Sequence, residues 1–383
     1  MDTVMQSQKQ HFSLRPDLHY LNCAYKAPLL KSGEEAAMRA LLRERNPVDI
    51  SVDDFFGTAE EVRQIYADII HAKASQISLI PSVSYGFAMA LNNLQGKPNG
   101  HAITVKDEFP SGYFALHRWC DHQNQQLVVI SPTEKGAQMA RSWNEQILDR
   151  INAQTSVVLL SSVHWMNGLR FDLESIGRRC QEVGAKLLVD GTQSVGALPM
   201  DVQKCHISTL ICASYKWLLG TYTLGLAYLD DSFDQGRPLE ESWMNRTNAK
   251  NFSSLSTYDP NYLPSSARYN MGETANFILM PILKTALQHI HHWQPEHIQN
   301  YARKLIQPFL SFAKDRFTFC AEGDYFSNHL FSIQLPSMEQ ADQIRQRLLD
   351  QNIYVSVRGD HVRISVHVFN EEVDIDRLME VLR

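Results

Sequence analysis

No two cysteines in this 383-residue chain are spaced C-x-x-C. The six present, Cys23, Cys120, Cys180, Cys205, Cys212 and Cys320, are scattered, which argues against a thioredoxin-type pair or a cysteine-based zinc site. Such usage fits buried, reduced thiols in a cytoplasmic protein. There is no block of basic residues either. With 36 Lys and Arg against 42 Asp and Glu the net charge is -6, which argues against nucleic acid or a membrane surface as the main partner. No apolar run is long enough to span a bilayer, and the polar opening MDTVMQSQKQHFSLRPD lacks the apolar stretch of a signal peptide. Internal repeats and low-complexity tracts are absent. No G-x-G-x-x-G follows the first strand, so a Rossmann-type nucleotide enzyme is disfavoured. His289, His291 and His292 cannot share one helix face and read as surface or packing residues, so no metal site is expected.

What is present is an ordinary globular composition, 44% hydrophobic and 20% charged. The length predicts one large domain and a smaller one. Seven short β-rich runs lie at 76–80, 101–105, 126–131, 156–163, 185–190, 208–214 and 224–230. Several are nearly continuous in Val, Ile and Leu, as strands covered on both faces are. Helical patterns fall between them at 83–94, 112–123, 139–152 and 172–183, the last opened by Asp172 as N-cap and closed by Gly184. This alternation predicts an α/β fold with a mainly parallel seven-stranded sheet. Residues 231–274 are polar and aperiodic, a long excursion of the kind that is often functional. Helical stretches at 275–293 and 296–315 follow, then strand, helix, strand, strand and helix, a small α+β C-terminal unit. The expected division is an N-terminal arm (1–18), a large domain (19–255) and a small domain (256–383).

Ligands of such a sheet collect where strands end and helices begin. Asp190 ends one buried run, in LLVDGTQSVG, and Lys216 follows another, in LICASYKWLLG. Both side chains are expected in one crevice, where spacing alone also allows a plain salt bridge. Ser82, Val83 and Ser84 open a helix after a strand, a place that suits a phosphate and equally an ordinary N-cap. Phe109 stands at another strand mouth, available for stacking or for packing. His164 and Asn167, in SSVHWMNGLRFDL, are polar residues at a further strand end.

Taken in this order, these segments resemble the class V aminotransferase family, pyridoxal phosphate (PLP) enzymes of fold type I related to cysteine desulfurases, kynureninases and isopenicillin N epimerases. HYLNCAYKAPL (19–29) is similar to the family's N-terminal YL(D/N)xAxxxPL segment. RYNMGETANFILMPILKTAL (268–287) is similar to its "GT" segment, and VSVRGDHVRISVHVFNEEVDIDRL (355–378) to its C-terminal ending. The resemblance implies that Lys216 is the aldimine lysine and base, with Asp190 the partner of the pyridine nitrogen. A lysine amine serves both tasks once desolvation lets it lose its proton. It further implies that Gln193 touches the ring hydroxyl and that Phe109, within an FPSxxxA stretch like that of kynureninases, stacks on the ring. Val83, Ser84 and Tyr215 are implied to hold the phosphate, and Gly272 to serve the cofactor across a subunit boundary. Arg363 is expected to grip the substrate carboxylate, with Asn167 as a second carboxylate or ring-hydroxyl contact and Arg358 at the same mouth.

Two departures narrow the activity. The loop where desulfurases and selenocysteine lyases carry a reactive cysteine reads Val357-Arg358-Gly359-Asp360-His361-Val362, with no cysteine, so desulfuration by that route is disfavoured. The family threonine after Gly272 is Glu273 here, so either Gly272 or Thr274 takes over the phosphate contact by backbone or hydroxyl, or Glu273 faces the substrate instead. The expectation is a PLP-dependent homodimer acting on a small amino acid by transamination, epimerisation or lyase chemistry. A PLP-binding protein without turnover is the alternative from another class.

Overall fold

The computed structural model describes residues 5–383; residues 1–4 of the expected arm lie outside the described residues. A two-residue strand, β1 (His19–Tyr20), opens the described fold. The seven apolar runs then form β2 (Ile77–Ile80), β3 (His101–Val105), β4 (Gln126–Ile130), β5 (Thr155–Ser161), β6 (Lys186–Asp190), β7 (Thr209–Ala213) and β8 (Gly225–Leu229). Four more strands follow: β9 (Leu330–Gln334), β10 (Ile353–Tyr354), β11 (Ser356–Arg358) and β12 (His361–Ser365).

The large sheet has the order β2-β8-β7-β6-β5-β3-β4. Strand β8 runs antiparallel to β2 and β7, and every other pairing is parallel. All residues of β2, β3, β5, β7 and β8 are buried, whereas the edge strand β4 exposes Gln126 and Val129. The continuous apolar runs therefore reflect cover on both faces, as doubly covered parallel sheets require.

Helices α1 (Lys31–Arg43) and α2 (Gly57–Ile69) precede the sheet. The connections carry α3 (Val83–Asn92), α4 (Pro110–Gln123), α5 (Met139–Arg150) and α6 (Leu173–Val183). The expected caps of α6 are in place: the Asp172 carboxylate accepts from Ser175 N–H at 3.1 Å, and Gly184 takes φ +67°. Helix α4 begins at Pro110, ahead of its expected start, because a proline in the first turn gives up an amide that the helix does not use. The excursion 231–274 holds short 3-10 segments and one isolated bridge, between Arg246 and Tyr262.

Helix α7 (Leu279–Trp293) was expected in the small domain. Its buried face instead joins the core under the large sheet, packing on α1 and α2. Helix α8 (Pro295–Ala313) turns its apolar side to a second core with α9 (Met338–Leu349) and α10 (Glu372–Leu382). That core includes Phe309, Phe331, Ile364, Leu378 and, from the N-terminal segment, Leu21. Its sheet is antiparallel with the order β11-β12-β9. The second strand expected in the C-terminal unit divides in two: Ile353 and Tyr354 pair with β1, while Ser356–Arg358 pair with β12. The N-terminal segment is thereby laced onto the small unit. No helix of the described residues is long and apolar enough to cross a membrane.

Candidate active site

The carboxyl ends of the parallel strands β5 and β6 and the end of β7 open on one side, and the loops after them build two adjoining cavities. After β7 the chain turns back sharply. Ser214 Oγ donates to the carbonyls of Thr221 and Leu224, both at 2.8 Å, and Gly220 N–H donates to Ser214 O at 2.8 Å. This folded loop holds Lys216 inward, 7% exposed, with Nζ 5.9 Å from the centre of the Phe109 ring and 5.7 Å from that of Tyr215. Burial first, and then the cation of Arg363, push the Lys216 amine down to about 8. Trp217 points the other way, fully buried between His329 and His367.

Asp190 is the last residue of β6, next to β7 in register, with Asp190 opposite Ile211. Gly191 follows because a side chain there would meet Val195 at 2.7 Å and Leu210 at 2.8 Å. The turn lets Thr192 N–H donate to Asp190 Oδ1 at 2.9 Å. Burial pushes the Asp190 carboxyl up from its ordinary range, opposed by Thr192 and Lys216. Lys216 and Asp190 share the inner cavity, yet neither forms an ion pair among the described residues, which removes the salt-bridge reading. Gln193 is fixed on both sides: its Nε2 donates to Ala24 O at 3.2 Å and its Oε1 accepts from Trp217 Nε1 at 3.0 Å.

The inner cavity, about 290 Å³, is also lined by Ser82, Val83, Ser84, Phe109, Trp165 and Tyr215. Ser82 caps α3, its Oγ accepting from Tyr85 N–H at 3.2 Å. The amides of Val83 and Ser84 are left at the positive end of that helix, an arrangement suited to an anion. An outer cavity of about 440 Å³ shares Phe109, Trp165, Gln193, Tyr215 and Lys216 with the inner one and adds Arg358 and Arg363. Arg363 is 2% exposed, its Nε donating to Ser356 Oγ at 3.0 Å and its Nη1 to Trp165 O at 2.6 Å. Burial and the neighbouring Arg358 bring it down to about 9, still charged at neutral pH.

Two expected residues line neither cavity of this chain, Gly272 having been expected to act across a subunit boundary. Asn167 lines neither cavity; its Oδ1 accepts from Leu169 N–H at 3.2 Å, within its own turn. Gly272 also lies outside both, its N–H donating to Glu240 Oε2 at 3.2 Å. Glu273 is exposed at φ +56°, and Thr274 is buried against Met244. His164 is buried against Trp143, at 5.3 Å between ring centres, and burial holds it neutral with a value of about 4. The residue of this loop that does reach the site is Trp165, which sequence reasoning passed over. Its Nε1 donates to Asp107 O at 2.7 Å and its ring meets Phe109 edge-on at 5.5 Å. The one signal for it was an indole at a strand end between polar residues. Glu108 was also missed: buried, it accepts at 2.7 Å from the amides of both Phe109 and Ser161, tying the Phe109 loop to the end of β5.

Fold and site together define an α/β protein with a buried, unpaired lysine and carboxylate in one cavity with the start of a helix. Residues 51–378 match the family described as Aminotransferase class-V, and the chain belongs to that family. YcbU, an uncharacterized aminotransferase of Bacillus subtilis, is 23% identical over 322 residues, 82% of this chain and 80% of its own. A kynureninase of Cryptococcus neoformans is 20% identical over 308 residues, 73% of this chain and 67% of its own. A solved structure of a C-DES mutant with glycine covalently linked to its PLP cofactor superposes with a TM-score of 0.83 at 18% identity, covering 98% of both chains. The fold is that of the fold type I PLP enzymes. Pyridoxal 5'-phosphate is the family's cofactor, and the donor set of the inner cavity fits it: one buried amine, one unpaired carboxylate, and amides and hydroxyls at a helix start.

Proposed function

We propose that the protein is a PLP-dependent enzyme acting at the α- or β-carbon of an amino acid, with Lys216 as covalent anchor and base. The observation that carries this reading is the buried amine of Lys216 and the carboxylate of Asp190 in one cavity, unpaired, beside the start of α3. When bound, the cofactor supplies an electron-withdrawing ring for negative charge at the substrate α-carbon. Asp190 holds a proton at the ring nitrogen, with Thr192 N–H fixing the carboxylate's orientation. The amides of Val83 and Ser84, the Ser84 hydroxyl and the Tyr215 phenol bind the phosphate. Phe109 and Gln193 bound the ring, and Glu108 positions Phe109 through its amide.

Lys216 moves protons at the α-carbon. Burial brings its amine down to about 8, within reach of the neutral form a base needs. Arg363 holds the α-carboxylate with its Nη2 end, the other guanidinium nitrogens being tied to Ser356 and Trp165. No cysteine lines either cavity. Cys320 is buried elsewhere, and Cys23, buried near Lys216, has its thiol pushed well above the ordinary range, which argues against a thiolate route to desulfuration. In this reading the protein works as a homodimer in the cytoplasm, and Gly272 serves the neighbouring subunit.

The test is spectroscopic. Purified protein supplied with PLP is expected to absorb near the visible edge, and Lys216→Ala is expected to abolish reducible attachment. Wild-type protein that takes up no cofactor overturns the proposal.

A further inference from the structure

Resting on that reading, we infer that the substrate carries a second anionic group on a short side chain, held by Arg358 with Lys26 at the rim. The outer cavity is where this is legible. Among the described residues of this chain its lining includes four cations, Lys26, Arg358, Arg363 and Lys216, and no aspartate or glutamate. Lys216 belongs to the cofactor, and one guanidinium satisfies an α-carboxylate. Arg358 and Lys26 are in excess of what a neutral amino acid needs.

The placement of Arg358 follows from strand register. Ser356 stands opposite Arg363, so Arg358, two residues further along β11, lies on the same face as its diagonal neighbour. Such positions are about 7–8 Å apart at the backbone, and both guanidinium groups reach Trp165, Arg363 through its carbonyl and Arg358 over its ring. Arg358 lies over the Trp165 ring, its guanidinium carbon 5.9 Å from the ring centre, and Nη1 donates to Val357 O at 2.7 Å. The cation is therefore held in place while its remaining N–H groups stay free. A partly buried guanidinium beside a second one calls for an anion. Asp360, two residues away, does not supply it. Its carboxylate accepts from Gln334 Nε2 at 2.9 Å and lies 3.5 Å from His361, and no ion pair of Arg358 occurs among the described residues. The rest of the wall is mostly aromatic, Tyr25, Phe109, Trp165, Tyr215 and Tyr222, with Ala24 and a Gln193 amide that is already bonded to Ala24 and Trp217.

The shared chemistry of the ligand is an amino acid with a distal carboxylate, sulfinate or phosphate. Titrating the PLP-loaded protein with L-aspartate, L-cysteine sulfinate and L-phosphoserine, against L-alanine and L-2-aminobutyrate, reads each dissociation constant from the cofactor's absorbance. At least one acid is expected to bind roughly tenfold or more tightly than the neutral pair, as one charge-assisted contact gives. Which acid does so names the distal group. In Arg358→Gln the ratio of acidic to neutral affinity is expected to fall toward one, and in Lys26→Gln, at an exposed position, to fall part of the way. Succinate against butyrate, measured by calorimetry on the same protein, is expected to show the same preference without turnover. Equal affinity for acidic and neutral ligands on a normally absorbing protein overturns this inference and leaves the PLP reading standing. An absent cofactor band overturns both.

Discussion

Replacing Arg363 with glutamine should raise the titration midpoint of Lys216. The amine lies at about 8 instead of its ordinary 10.5, burial contributing most and Arg363 next. The difference corresponds to about 3 kcal/mol of preference for the neutral amine. At pH 7 it makes the reactive form roughly 300-fold more abundant than on an exposed lysine. Removing the cation relieves only the second cause, so the Arg363→Gln midpoint is expected to rise by about half to one unit and to stay below 10.5. The assay follows the rate at which apoprotein binds PLP as a function of pH, since only the neutral amine attacks the aldehyde. A wild-type midpoint at 10 or above, or a downward shift in the variant, refutes the reasoning.

Asp190→Asn keeps the volume and loses the negative charge; kcat is expected to fall by about 100- to 1,000-fold with cofactor absorbance retained, and a kcat within threefold of wild type contradicts its role. Glu108 carries a stability prediction. Burial raises its carboxyl from 4.5 to about 7, so the stability it contributes is fully present below its unfolded value and lost as pH rises through 7. In urea titrations the advantage of wild type over Glu108→Gln should therefore be greater at pH 5 than at pH 8, and the opposite ordering refutes it. Gly196 adopts φ +100°, and a Cβ there would lie 2.5 Å from Trp217 O, behind the Lys216 loop. Gly196→Ala is expected to cost about 2–3 kcal/mol and several degrees in Tm; an unchanged Tm contradicts the packing. With a thiol reagent on native protein, Cys205 should react first, being the one half-buried thiol beside five buried ones.

The large sheet was legible because its strands are buried on both faces, which leaves unbroken Val, Ile and Leu runs with helices between. Helix α1 was not read from the sequence: its apolar residues Met38, Leu41 and Leu42 stay exposed, and it buries only Gly33 and Ala36. The break between β10 and β11 was hidden because both halves of the run are β-formers, and the partner of the first half, β1, lies more than three hundred residues earlier in the chain. Of the residues that line the inner cavity, Lys216, Asp190, Phe109, Tyr215, Gln193 and the α3 start could be placed together from strand ends, which the parallel sheet turns toward one crevice. The loop after β5 was located as well, but not which residue of it points inward. The backbone bond from Gly168 N–H to His164 O, with Gly168 at φ +77°, closes a turn whose direction no spacing rule contains. That turn buries His164, occupies Asn167 with Leu169 and delivers Trp165. The acid-free lining of the outer cavity was equally hidden, since Lys26, Arg358 and Arg363 come from distant segments that meet only on folding.

The most direct test of the account is to reduce the PLP-loaded protein with borohydride, digest it and map the modified peptide by mass. The account predicts a single pyridoxyl group on Lys216. Modification of another lysine, or of none, contradicts it.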